Sequence, residues 1–250
     1  MSRYTMKIKE IKKREKYARE YDTRKDFDRH FTDFRFRCLK EHFPMLKSVL
    51  EVGCANGIMT EKLIKISKAL HVVEPSEHYI RETEKNLGSR ANKIVFFQSF
   101  IEDWKTNNKY DTVVLSSILH EAKDPVSMLK TAKNLLSKNG IIFINVPNAL
   151  SLHRRIGVSM GMLKNEYEFN ERDKKFLHKR NYDMVHLTRD AKNAGLKIVE
   201  KGGYFLKPFS NNQMEKFDLR FVEALYEISK EAPADLCAEI YLFAKNNEYN

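Results

Sequence analysis

Cysteine is scarce in this 250-residue chain: Cys38, Cys54 and Cys237 are the only three, and no two stand at CxxC spacing. That number and scatter exclude a disulfide framework and a zinc site of paired thiols, so all three are expected as reduced thiols and no metal site is expected. Long apolar runs are missing too. The longest, residues 141–146, is interrupted by Asn145 and falls far short of the roughly 20 residues that cross a bilayer. Residues 1–16 are Lys-rich without the apolar core of an export signal, so no membrane span is expected and the chain is expected in the cytoplasm. With 9 Gly and 6 Pro there is no low-complexity linker, and no internal repeat is present.

What is there reads as one packed unit. Hydrophobic residues at 42% and charged residues at 32% are the balance of a folded globular protein, and the length suits one α/β domain with a modest elaboration. The net charge of +11 is local: residues 1–47 hold 15 Lys+Arg against 8 Asp+Glu, and residues 150–182 hold 8 against 4, leaving the remainder neutral. Such an excess suits a surface that attracts an anionic partner, or equally a set of Lys-rich solvated helix faces.

Between residues 48 and 148, short apolar runs at 49–52, 70–74, 94–97, 112–115 and 141–146 alternate with segments of helical length. Runs rich in β-branched and aromatic residues, separated in this way, predict βαβ units and a doubly wound α/β sheet with helices on both faces. Helices are expected at 57–67, 76–87, 125–136 and 182–194. Asp124-Pro125 reads as an N-cap with proline at the first helical position, and Asn139-Gly140 and Gly195 read as helix stops. Two further strands, 196–200 and 238–244, with a helix at about 213–230 between them, bring the count to seven. Residues 1–47 are expected as an N-terminal helical cap, with Ile8, Ile11, Ala18 and Tyr21 at helical spacing. Residues 48–250 then form the main domain, with a helical insertion at about 148–181 after strand five.

The strongest signal is Val49-Leu50-Glu51-Val52-Gly53-Cys54-Ala55-Asn56-Gly57, a strand running into a glycine turn and then a helix. Glycines there let a ligand lie against main-chain N–H groups at a helix N-terminus. The spacing ExGxxxG departs from the GxGxxG that cradles a pyrophosphate. An acid beside the loop suits a ligand with an amino group and disfavours a diphosphate. Glu74, 21 residues after Gly53 and at the end of the second strand, stands where a carboxylate accepts hydrogen bonds from ribose hydroxyls.

On these residues the sequence resembles the class I S-adenosylmethionine-dependent methyltransferases, closely over 46–150, and especially the branch of ubiquinone and sugar O-methyltransferases. The resemblance implies a seven-stranded Rossmann-like methyltransferase sheet, with S-adenosylmethionine as cofactor and S-adenosylhomocysteine as product. It places Gly53, Cys54 and Gly57 around the methionine and ribose, Glu74 and Pro75 at the ribose, and Glu51 at the methionine amino group. Phe100 stands where the family commonly has aspartate; Phe100 or Ile101 is then expected against the adenine, with Glu102 as its acceptor. Ser116 is expected beside the methionine arm, and Tyr21, with Tyr17, on a helix that closes over the cofactor.

Methyl transfer from a sulfonium needs in-line positioning and, for a neutral hydroxyl acceptor, a base. His120, His153 and His178 are the candidates, because histidine titrates near neutrality, although each also reads as a structural histidine. Arg154, Arg155 and Arg180 are candidate contacts for an anionic acceptor, and Tyr182 a candidate pocket wall. Through Asn-Val-Pro-Asn at 145–148, Ser-Leu-His-Arg-Arg at 151–155, Met-Gly-Met at 160–162 and Leu-Lys-Pro-Phe at 206–209, residues 145–210 resemble methyltransferases of bacterial surface-polysaccharide synthesis, including those that make a capsule O-methyl phosphoramidate. The expected partner is thus a small, phosphorylated or nucleotide-linked acceptor. Stable nucleic-acid binding is not expected, since no RNA-binding module accompanies the sequence pI of about 9.4. An RNA substrate, a lipid quinone and a non-catalytic cofactor-binding protein remain the alternatives.

Overall fold

The structure, a computed structural model, describes residues 3–247, with side chains from residue 9; Ile8 therefore lies outside the described side chains. Two helices, α1 (Arg3–Glu20) and α2 (Asp28–His42), precede the sheet. The chain then runs through β1 (Leu46–Val52), α3 (Ile58–Leu63), β2 (Ser67–Glu74), α4 (Glu77–Leu87), β3 (Ile94–Gln98), β4 (Tyr110–Ser116), α5 (Pro125–Asn134) and β5 (Leu136–Pro147). The connection out of β5 carries α6 (Leu152–Ser159) and α7 (Glu171–Lys175). It is followed by α8 (Met184–Asn193), β6 (Leu196–Tyr204), α9 (Asn211–Met214), α10 (Leu219–Ser229) and β7 (Glu239–Asn246).

One seven-stranded sheet results, in the order β3-β2-β1-β4-β5-β7-β6. β1 to β5 pair in parallel, and β7 enters antiparallel between β5 and β6. Val49, Leu50, Glu51 and Val52 are all buried, as expected for a parallel strand covered on both faces. One apolar cluster unites α2, α4 and one sheet face, and a second unites the other face with α5 and α8. The strand order reverses between β1 and β4. That switch point opens a crevice at the carboxyl ends of the strands.

Local signals set most boundaries. Ser76 caps α4 by accepting from Tyr79 N–H at 3.2 Å, and Asp124 caps α5 through Ser127 N–H at 2.9 Å with Pro125 in the first turn. Gly195 ends α8 in the left-handed region, with φ +76°. Three expectations are corrected. The helix expected over 57–67 stops at Leu63, because Ser67 already pairs into β2. Asn139-Gly140 is no helix stop but lies inside β5, where a Cβ on Gly140 would come 2.7 Å from Tyr110 O. The close approach of the two strands requires glycine there. The helix expected over 213–230 is broken into α9 and α10, because Asp218 caps the second through Arg220 N–H at 2.6 Å.

Candidate active-site cavity

The loops leaving β1 to β5, together with α1, α2, the segment 170–181 and the chain beyond β6, enclose a cavity of about 600 Å³. Its β1 wall is fixed by backbone geometry. Gly53 has φ +79°, and a Cβ there would stand 2.9 Å from Ile118 Cδ1 and 3.8 Å from Glu74 Oε2. The left-handed dihedral favours glycine here, and a side chain would also have to displace the end of Ile118. Gly57, φ +81°, serves another purpose: its missing Cβ would strike Thr83 at 2.7 Å, so it lets α3 close on α4, and it does not line the cavity. Cys54 lines the cavity as a buried thiol.

Two carboxyl groups stand in this wall. Glu74 accepts from Ser76 N–H at 2.8 Å and Cys54 N–H at 3.2 Å, and burial pushes it up to about 7 against the pull of those bonds and of Arg14. Glu51 is fully buried, and among the described residues neither of its oxygens has a hydrogen-bond partner of good geometry; the Thr60 hydroxyl is the nearest polar group to it. Burial, opposed by Thr60 and aided by the Glu74 charge, pushes Glu51 up to about 8. A buried carboxyl with no partner is costly, and the cost falls when a cationic donor is brought to it. Pro75 follows in the wall, and beyond β3 so do Phe100, Ile101 and Glu102, the last raised above the ordinary range by burial.

After β4, Ser116, Ser117, Ile118, His120 and Glu121 turn along the cavity. Arg14 of α1 pairs with the Glu121 carboxylate and also reaches Glu121 O at 3.4 Å, tying the first helix across this loop. Tyr17 and Tyr21 line the cavity from the same helix and its exit, and Tyr21 hydroxyl donates to Asp28.

The structure brings all three candidate histidines to the cavity. His120 is 3% exposed, with Nδ1 unpartnered and its ring edge-on to His178 at 4.2 Å. Burial, and after it the neighbouring His178 and arginines, holds its pKa well below the ordinary value, so it is neutral at pH 7. His178 Nδ1 lies 3.1 Å from Asp173 Oδ1. His153 Nδ1 lies 3.1 Å from Ser151 Oγ, and burial, then Lys207 and Arg154, depress its pKa strongly.

The expected anion contacts are corrected. Arg180 donates to the carbonyls of Leu119, Ala122 and Lys123 at 3.0, 2.6 and 3.3 Å, so it staples the β4 loop and does not line the cavity. Arg155 is outside the lining as well and donates to Leu150 O at 2.6 Å. Arg154 lines the cavity but is committed to Asp173 at 3.2 Å and to the carbonyls of Glu166 and Glu168. Tyr182 is no wall either: it is buried in the core, with its hydroxyl on Asp190 at 2.8 Å. In each case a guanidinium or phenol satisfies groups that folding buries.

Several lining groups escaped the sequence reading: Arg14, Asp28, Arg35, Lys207 and Glu239. Arg35 and Glu239, 204 residues apart, form a buried ion pair on which Tyr204 hydroxyl and Asn145 Nδ2 also converge, at 2.6 and 2.9 Å. Its signal was an acid in the otherwise apolar run 238–244 and an arginine in a Phe-rich helix.

Against known families, residues 17–201 match the family described as "Methyltransferase domain". A ubiquinone biosynthesis O-methyltransferase of Actinobacillus pleuropneumoniae serotype 5b (strain L20) is 26% identical over 108 residues, 41% of this chain and 46% of that protein. The chain thus spans about half the length of the curated relatives it matches. Among solved structures, the N-methyltransferase NodS from Bradyrhizobium japonicum WM9 in complex with S-adenosyl-L-homocysteine superposes with a TM-score of 0.57. It is 16% identical, over 89% of this chain and 88% of that one. Magnesium protoporphyrin IX methyltransferase (ChlM) from Synechocystis PCC 6803 with bound SAH gives 0.59, at 13% identity over 88% and 84%. At these identities the likeness bears on the fold: a seven-stranded Rossmann-like methyltransferase sheet.

Proposed function

The chain belongs to the methyltransferase domain family, and on that premise we propose that it transfers the methyl group of S-adenosylmethionine to an oxygen of a small, negatively charged acceptor, releasing S-adenosylhomocysteine. The observation that carries this reading is Glu51, a buried carboxyl with no hydrogen-bond partner of good geometry among the described residues, beside a turn whose left-handed backbone at Gly53 favours glycine. Such a site fits a ligand that brings an ammonium group close to the backbone. Gly53 and Cys54 would hold the methionine arm and ribose, with Ser116 alongside, Glu51 the ammonium and Glu74 the ribose hydroxyls. Phe100 and Ile101 would pack on the adenine, and Glu102 would accept from its amino group. When bound, the cofactor supplies a methyl group on a sulfonium, which departs as a neutral thioether.

The chain's own residues then position the acceptor and move one proton. His120, neutral at pH 7 and with Nδ1 free, accepts the hydroxyl proton as the oxygen attacks. The Glu121 carboxylate, whose Oε1 lies 3.9 Å from Nε2, is the acid that stands nearest the resulting imidazolium. Arg14, Tyr17 and Tyr21 close the wall and exclude water. The test is calorimetry with S-adenosylhomocysteine. Binding at roughly micromolar concentration is expected for the purified chain and none for Gly53→Val; an absence of binding to the unmodified chain overturns the reading.

One surface favours a second reading, in which the acceptor carries an apolar tail. Phe209, Phe217 and Phe221, each 40% exposed, stack in a ladder with ring centres 5.4 and 4.7 Å apart, and Phe209 immediately precedes the lining residues Ser210, Asn211 and Asn212. Among the described residues no helix is long and apolar enough to cross a membrane. Co-sedimentation with vesicles that is lost on Phe217→Ser and Phe221→Ser would favour this reading.

A further inference from the structure

Each arginine lining the cavity has a carboxylate partner: Arg14 has Glu121, Arg35 has Glu239, Arg154 has Asp173, and Arg172 has Asp26 and Asp28. Lys207 also lines the cavity and is only 6% exposed. Among the described residues it has no carboxylate at salt-bridge distance. Its Nζ donates to Asn211 Oδ1 at 2.7 Å and lies 5.4 Å from the centre of the Phe31 ring, both uncharged partners. Asn211 turns its other end to Asp28, with Nδ2 3.1 Å from Oδ1, so the amide stands between the ammonium and that acid. Asp28 already receives Arg172 and the Tyr21 hydroxyl.

An ammonium buried without a counter-ion opposes folding, because burial removes its hydration. The same burial, outweighing the acids further off, pulls Lys207 down to about 8. An anion entering the cavity would relieve that cost. Lys207 follows β6, four places from β1 in the sheet order. His120 follows β4, which lies between β1 and β6 in that order, and His153 lines the same cavity.

We propose that Lys207, oriented by Asn211, anchors a carboxylate or phosphate of the methyl acceptor, which then presents its hydroxyl towards His120. This rests on the methyl-transfer reading and adds to it the place and chemistry of the acceptor's charge.

The test uses the full chain saturated with S-adenosylhomocysteine and paired probes measured by calorimetry: glycerol 3-phosphate against glycerol, and 4-hydroxybenzoate against its methyl ester. The charged member of at least one pair should bind about ten- to a hundredfold more tightly. Lys207→Met should abolish that preference while affinity for S-adenosylhomocysteine stays within about twofold. Equal affinities within both pairs, no binding of either charged probe, or a preference that survives Lys207→Met each overturns the proposal. So does a Lys207→Met chain that loses S-adenosylhomocysteine, which would give the lysine to the cofactor. Should Lys207→Met not fold, the comparison within each pair on the unmodified chain still decides, with Lys207→Arg expected to retain the preference. Failure of the unmodified chain to bind S-adenosylhomocysteine is a different result, and sinks methyl transfer itself.

Discussion

The two halves of the cavity are built in opposite ways. The wall at the ends of β1 to β4 comes from residues 51–121, and its key groups are placed by strands that pair in register and by turns a few residues long. The far wall is assembled from residues distant in the chain. Arg35 meets Glu239 across 204 positions, and Arg172 meets Asp26 across 146. Short-range geometry fixes the first wall almost regardless of context. The second exists only when the N-terminal helices, the connection after β5 and the final strands have all packed. A fold that must keep one cofactor and change acceptors would be divided in this way.

The sharpest way to break the contrast is to cut the long-range wall. Arg35→Met leaves Glu239 buried beside Tyr204 and Asn145, and should cost about 3–5 kcal/mol in urea unfolding. Arg35→Met with Glu239→Met should recover part of that loss. A loss under about 1 kcal/mol would mean that the pair is incidental to the far wall. On the local wall, Glu51→Gln removes the carboxylate without changing shape, and should weaken S-adenosylhomocysteine about ten- to a hundredfold while stability is unchanged or rises. Equal affinity would remove Glu51 from the ligand's surroundings.

Proton linkage separates the walls further. Glu51 titrates at about 8 and Glu74 at about 7 in the folded chain, both above their unfolded value, so between about pH 4.5 and 8 the folded state holds more protons than the unfolded one. The sign follows: these two carboxyls take stability from the ligand-free chain as pH rises through that window, opposed at its lower end by the buried His120 and His153 and above pH 8 by Lys207, so the loss is read as the difference between the unmodified chain and Glu51→Gln. A ligand ammonium that favours the ionised carboxylate should bind more tightly with rising pH, by at most about tenfold per unit. It should also release protons, seen as a dependence of calorimetric heat on buffer. A flat profile from pH 6 to 8 would deny the coupling. The smallest effect is expected at Tyr182→Phe. This removes one buried hydrogen bond to Asp190, should cost about 1 kcal/mol, and should leave every ligand affinity alone; a change in affinity would return Tyr182 to the cavity wall.

Legibility in the sequence followed the same division. Glu51, Gly53, Glu74 and Ser116 were readable because each stands at a fixed offset from a strand end, and strand ends are marked by runs of β-branched residues. The histidines could be assigned to the cavity edge for the same reason. Arg155 and Arg180 were misread because positive charge in a loop says nothing about direction: both point at carbonyls that folding had to satisfy, while Arg154 does line the cavity. Lys207 stood out only as part of Leu206-Lys207-Pro208-Phe209, a run that carried a family resemblance and no role for the lysine. A lysine before a proline announces an extended backbone, not a buried ammonium.

The order of strands and helices, the glycine turn and the two carboxyl groups beside it were determined by the sequence alone, because hydrophobic period and backbone sterics act over a few residues. Which charges are spent on one another, and that the Lys207 ammonium is left facing the cavity, was decided only by the tertiary structure. Pairing of that kind depends on desolvation and distance in space, and neither is written in the separation of residues along the chain.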